Sequence, residues 1–364
     1  MKFGSFWVGA VGLAAFGVSA VAQEPPKGLT PQGAMQQSAI TFRGRTITML
    51  VGSTAGGGTD ATGRLIAPFL TKYLPGNPSV LVQNMPGADG IVASNFFVQQ
   101  VKPDGLTVTT GDSPQIDPIR YRGPQSRYDP VKFEFIGGIG RGGSMIVVDS
   151  AAEKRLYDKS AAPVTMGVAS AVPRSGQLMA AWGMGVLGWN AKWVVGYRST
   201  SSLMLAMQQG EIDMTATSNT FALQSMIDSG KYKVLTQSGG LQDGALVPRP
   251  GFAKAPLIHD QVADRFKDPI AVKSFAYWQG VLLADKWIAL PPATPKPLVE
   301  AYRNAWRAMS ADPEFLAQGR RISEVFAPMT DHDIRSLIQA VADAPPEAIA
   351  YLDTLLRQQG INGL

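Results

Sequence analysis

The chain contains no cysteine, so it can form no disulfide, hold no thiolate-bound metal and carry no acylated thiol of the lipoprotein kind. It has only two histidines, His259 and His332, each in a polar stretch that reads as a helix start. That leaves almost no material for a zinc site or a Ser-His-Asp triad, and no Gly-x-Ser-x-Gly elbow accompanies either histidine. Charged residues make up 17% of the chain, and the excess of 33 basic over 28 acidic side chains is scattered. Pairs such as Arg43 and Arg45, Arg120 and Arg122, or Arg320 and Arg321 never build a basic run, which argues against nucleic acid as a partner. Nor is there an apolar run of the ~20 residues that a membrane span needs. The Gly-Lys-Ser/Thr ending of a phosphate loop is absent too.

What is present begins with a tripartite N-terminus: Lys2, the apolar run Phe6 to Val18, and Ala20-Val21-Ala22 before Gln23. This is the order of a secretory signal, with cleavage expected after Ala22 and residues 23–40 as a Pro- and Gln-rich flexible lead. The mature protein is expected in the periplasm as a monomer, with a formal charge of +4 once Lys2 is gone, a mild excess that suits an anionic ligand.

The stretch Gly52 to Asp60 organises the rest. Gly56-Gly57-Gly58 stand between a strand-like run, Ile47 to Val51, and a helix-like run from Thr59 to Leu74. Without Cβ atoms the turn can take positive φ and bring bare amides close to a ligand, while the helix start favours an anion. The same residues also fit a plain tight turn with Asp60 as a helix cap. Pro68 predicts a kink or restart in that helix. The turn Asn84 to Gly90 repeats the design before a second helix, Ile91 to Val101, and the strand Leu106 to Thr110 ends in the polar tip Gly111-Asp112-Ser113. Strands alternating with helices predict a doubly wound α/β sheet whose loops gather at one edge.

A glycine-dense passage, Gly137 to Gly143, marks a domain crossing, after which a second alternating block runs from Val164 to Leu235. A second crossing is expected near Trp278 to Leu283, giving a first lobe of residues 41–144 plus 278–364 and a second of 145–277. Ser238 to Pro256 lacks periodicity and reads as a surface excursion. Two Gly-x-Gly-x-x-Gly stretches, at Gly138 and Gly183, do not open a helix after a strand as a dinucleotide fingerprint must, so no cofactor is expected. Trp182, Trp189, Trp193 and Trp278 fit either a core or a cleft for an aromatic acid.

Together these pieces resemble the extracytoplasmic solute-binding receptors of tripartite tricarboxylate transporters, the Bug receptors. The resemblance rests on the signal peptide, Gly56-Gly57-Gly58-Thr59-Asp60, Asn84-Met85-Pro86-Gly87-Ala88-Asp89-Gly90, Pro103-Asp104-Gly105-Leu106-Thr107, Tyr128-Asp129-Pro130 with Phe133 and Phe135, and Gly196-Tyr197-Arg198 leading to Gly210-Glu211-Ile212-Asp213. It implies a two-lobed type II periplasmic-binding-protein fold and a non-enzymatic receptor that clamps a small carboxylate solute and delivers it to membrane components of a transporter. A secreted hydrolase or transferase on the same fold, or a receptor feeding a sensor kinase, are the rivals. Carried onto this chain, the implied ligand-binding residues are Gly56, Gly57, Gly58, Thr59 and Asp60, then Gly87, Ala88, Asp89, Thr110, Asp112 and Ser113 in the first lobe. In the second they are Ser170, Arg174, Ser175, Tyr197, Arg198, Ser218 and Asn219. Two departures stand out. Ala169 to Gly176, with Pro173 and Arg174, replaces the family's Ser-Gly-rich loop, and Ser53-Thr54-Ala55 replaces its aromatic-proline approach to the glycines. Arg174 is therefore expected either to meet the distal end of the ligand or to stand exposed as a surface arginine.

Overall fold

The computed structural model describes residues 40–242 and 245–361; the expected signal and nearly all of the lead lie outside them. Two mixed sheets form the frame. In the first, the strand order is β13-β4-β12-β3-β1-β2, from β1 (Thr46–Val51), β2 (Ser79–Asn84), β3 (Thr107–Asp112), β4 (Glu134–Gly140), β12 (Lys286–Leu290) and β13 (Ala327–Thr330). In the second the order is β7-β6-β8-β5-β9, from β5 (Met145–Asp149), β6 (Val164–Gly167), β7 (Ala191–Val194), β8 (Met214–Thr217) and β9 (Tyr232–Gln237). A short hairpin, β10 (Gly240–Gln242) with β11 (Ala245–Val247), stands apart. Parallel pairing of β1 with β2 and β3, and of β6 with β7 and β8, gives each sheet its wound half. Antiparallel β12 and β5 enter beside them as the chain passes between lobes.

Period-2 alternation covers both faces of the first sheet. Met49 and Val51 on β1, with Ile288 and Leu290 on β12, pack under the helices Gly58–Tyr73 and Lys296–Ser310. Leu50, Trp287 and Ala289 turn to the other face, where Phe133 and Phe135 meet them. Trp182, Trp189 and Trp278 are core residues, and Trp182 packs against Phe275 and Tyr351.

The helix Gly58–Tyr73 continues through Pro68 without a restart. Pro68 lies on the exposed face, where water can take the carbonyl it leaves without an amide. Of the glycine-dense passage, Gly137, Gly138 and Gly140 lie in β4, and the chain then passes on to β5; glycine is required in the strand because a Cβ on Gly137 would lie 2.1 Å from the Trp306 ring nitrogen and one on Gly138 2.9 Å from the Lys286 carbonyl oxygen. The second crossing, expected near Trp278 to Leu283, comes just after them: those residues end the helix Pro269–Leu283, the boundary expected between 277 and 278 falls inside it, and β12 begins at Lys286.

The aperiodic stretch Ser238 to Pro256 is also more than a surface excursion. It carries Arg249, fully buried, whose guanidinium donates to the carbonyls of Gly143 and Ser218, to Ser323 Oγ and to both carboxylate oxygens of Glu324. Arg249 therefore ties the first crossing, a second-lobe loop and the first lobe together at one point. Its chain neighbours give no periodic signal because the side chain is satisfied by loops rather than by an element.

Candidate functional site

A cleft of about 830 Å³ lies between the lobes. The first helix opens on it. Of the three glycines only Gly56 takes positive φ, at 79°, whereas Gly57 is extended with φ −77° and ψ 167°. The positive φ expected of this turn is therefore confined to Gly56. Two loop amides are already engaged: Gly56 N–H donates to Asp60 Oδ2 at 2.8 Å and Gly57 N–H to the Thr54 carbonyl at 3.2 Å. Gly58 and Thr59, in the first turn, line the cleft, and first-turn amides have no intrahelical acceptor. Asp60 is buried, accepting also from Arg64 and Asn84, so it shapes the turn from behind and does not line the cleft. Burial would raise its carboxyl, but the bonds from Arg64, Gly56 and Asn84 outweigh that and hold it low.

The second turn is more strained. Gly87, Ala88, Asp89 and Gly90 take φ of 144°, 46°, 54° and 91° in succession. Ser175 on the opposite lobe, at φ 47°, is a third non-glycine residue of this kind in the cleft wall. Left-handed non-glycine residues are uncommon and gather where a fold fixes a site.

The floor of the cleft is ionic. Arg141, in the first crossing, makes a two-point pair with Asp285, in the second, at 2.5 and 2.8 Å. Lys286 Nζ lies 3.3 Å from Asp285 and 3.7 Å from Asp112, and Asp112 accepts the Thr59 hydroxyl at 2.7 Å. Burial alone would push the Asp285 carboxyl up; the Arg141 guanidinium and the Lys286 ammonium outweigh it and hold it well below the usual carboxylate range. Burial also pushes Lys286 down, against the pull of Asp285. Across the cleft, Arg174 of the second lobe reaches Asp89 of the first at 3.2 Å, with Arg120 at 3.7 Å from the same carboxylate.

The structure brings most of the expected residues to this cleft: Gly56, Gly57, Gly58, Thr59, Gly87, Ala88, Asp89, Asp112 and Ser113 from the first lobe, and Ser170, Arg174, Ser175, Arg198, Ser218 and Asn219 from the second. Besides Asp60, two do not line it. Thr110 is buried in β3, donating to the Trp287 carbonyl, and Tyr197 turns away to Glu211. Sequence reasoning missed Arg120, Arg141, Asp285 and Lys286. Arg141 stood in plain view in the rejected Gly-x-Gly-x-x-Gly stretch, and Asp285-Lys286 opens a strand at a crossing whose place was expected only approximately. It also missed Ser199, Thr200 and Ser201, where the Ser199 hydroxyl caps the helix Thr200–Gln209 by accepting from Ser202 N–H.

Among the described residues the lining holds five cationic side chains, Arg120, Arg141, Arg174, Arg198 and Lys286, against three carboxylates, Asp89, Asp112 and Asp285. Helices starting at Gly58, Thr200 and Thr220 begin at its edge and add the positive ends of their dipoles. Among the described residues no aromatic side chain lines it, so none of the four candidate tryptophans does, and neither histidine reaches it. Among the described residues no cluster of three or more His, Asp or Glu side chains is placed to hold a metal ion, and no helix is long and apolar enough to cross a membrane.

No family model matches the chain. A curated relative from Cupriavidus necator, described as a UPF0065 protein in the gbd 5' region, is 38% identical over 100 residues, which span 27% of this chain and 28% of the relative. Among solved structures, the periplasmic binding protein BugD aligns with a TM-score of 0.62 at 19% identity, over 87% of this chain and 98% of its own. An R. palustris protein solved with adipate aligns at 0.64 and 20% identity, over 88% and 99%. MatC from Rhodopseudomonas palustris with bound malate aligns at 0.61 and 17%, over 86% and 99%. At these identities the likeness establishes the fold: the chain has the two-lobed α/β architecture of periplasmic binding proteins, with the cleft between the lobes.

Proposed function

We propose that the protein is a solute-binding receptor that captures a small carboxylate-bearing molecule between its lobes, outside the cytoplasm, and hands it to the membrane components of a transporter of the tripartite tricarboxylate type. The observation that carries this reading is the charge of the cleft: five cations against three carboxylates leave an excess of two positive charges in a partly enclosed space, joined by outward amides at helix starts. Such a site favours a dianion over a neutral or cationic solute. The absence of an aromatic ring among the described lining residues favours an aliphatic chain over an aromatic acid, which would gain from stacking. The comparison proteins solved with adipate and malate carry solutes of that chemistry. The lining offers no paired nucleophile and imidazole, which supports a binding role over hydrolysis.

The test is isothermal calorimetry of the chain from Gln23 onward against adipate, malate and benzoate. One adipate or malate is expected to bind per chain, more tightly than benzoate, with the solute recovered unchanged. Failure to bind any aliphatic dicarboxylate, or chemical turnover of one, would remove the receptor reading.

A further inference from the structure

Resting on that carboxylate reading, the cluster of Asp89, Arg120 and Arg174 carries a further step. Asp89 holds a φ of 54° in a turn whose neighbours on both sides are also left-handed. Glycine would sit there without strain, and aspartate is among the few other residues that tolerate it. An aspartate in such a place points to work done by its side chain. That side chain is 14% exposed, lines the cleft, and faces Arg174 at 3.2 Å from the other lobe and Arg120 at 3.7 Å from its own. Arg120 is as shielded as Asp89, and Arg174 is about a quarter exposed. Two guanidinium forks present about ten N–H donors in all, whereas one carboxylate offers about four lone-pair positions, so the cluster keeps spare donors and a net charge of +1.

We propose that Arg120 and Arg174 form a seat for one carboxylate of the solute, and that Asp89 is a specificity-determining residue that limits this seat to a single negative charge. Asp89 keeps the two like-charged guanidiniums together in the solute-free cleft and repels a second carboxylate brought by a more highly charged solute. Discrimination thus comes from a built-in repulsion as well as from attraction. The bridge from Asp89 to Arg174 spans the lobes, so the seat is complete only when they are together.

The experiment compares the mature wild type with Asp89→Asn by calorimetry, using adipate, malate and citrate at fixed pH and ionic strength. Asparagine keeps the shape and tolerates left-handed backbone, and Asp89→Gly serves as a second variant that removes the strain as well. The wild type is expected to prefer the dianions to citrate. Both variants are expected to gain at least tenfold in citrate affinity relative to malate and adipate. An unchanged ratio of citrate to dicarboxylate affinity, or a parallel loss for all three in variants that melt normally, would overturn the inference while leaving the receptor reading intact. Absence of binding by the wild type to every one of the three would overturn both.

Discussion

The two residues that join the crossings, Arg141 and Asp285, also line the cleft. Both are shielded from water, and a buried charge without its partner is far costlier than the pair. Asp285→Asn leaves Arg141 facing an amide and is expected to lower the stability of the free protein by about 3–5 kcal/mol at neutral pH. The sign of the pH dependence follows from the depressed carboxyl. A group whose folded pKa lies below its unfolded value contributes stability above the unfolded value, about 3.9, and loses that contribution as pH falls toward the folded one. Urea unfolding of wild type and variant should therefore show a constant difference from pH 7 down to about 5 that narrows below about 4. A difference that is independent of pH, or that widens in acid, would show that Asp285 is not the charged partner of Arg141.

At the scale of elements, the helix Gly58–Tyr73 supplies the first-lobe amides and also carries the sequence's one strong contradiction, Pro68 in its interior. Replacing it restores an amide for the Arg64 carbonyl on the exposed face. A proline in a helix interior costs about 3 kcal/mol relative to alanine, a net figure that already includes the stiffer unfolded chain. Pro68→Ala is therefore expected to stabilise the protein by up to about 3 kcal/mol, read as a raised melting temperature with solute affinity unchanged. A lowered melting temperature would mean that the helix depends on proline's fixed geometry. The same element shows what local pattern can reveal. Leu65, Phe69 and Leu70 announce a buried face at helical spacing and the structure keeps it. Whether a proline breaks the helix depends on which side of it faces water, which spacing alone does not give.

For the whole molecule, the two wound sheets and most of the cleft loops were legible because each loop follows a strand and opens a helix, a pattern that short-range sequence records. The loops of Gly56 to Gly58, Gly87 to Asp89 and Ser170 to Ser175 reach one cleft for that reason. The ionic floor was not legible, since Arg141 and Asp285 lie far apart in the chain and meet only because both crossings pass the same point. Arg249 was hidden likewise, in a stretch with no period, although it braces the crossing and the loop at Ser218. Long-range pairing of single charged residues leaves no local trace, whereas periodic burial does.

The proposed function requires one carboxylate solute to be held by both lobes at once. A crystal structure of the chain from Gln23 onward with malate decides this. Density is expected for one malate in the cleft, with one carboxylate at the first-turn amides of Gly58 and Thr59 near Lys286 and the other at Arg174 of the opposite lobe. Malate bound to one lobe alone, or an empty cleft at saturating malate with the solute elsewhere on the surface, would contradict it.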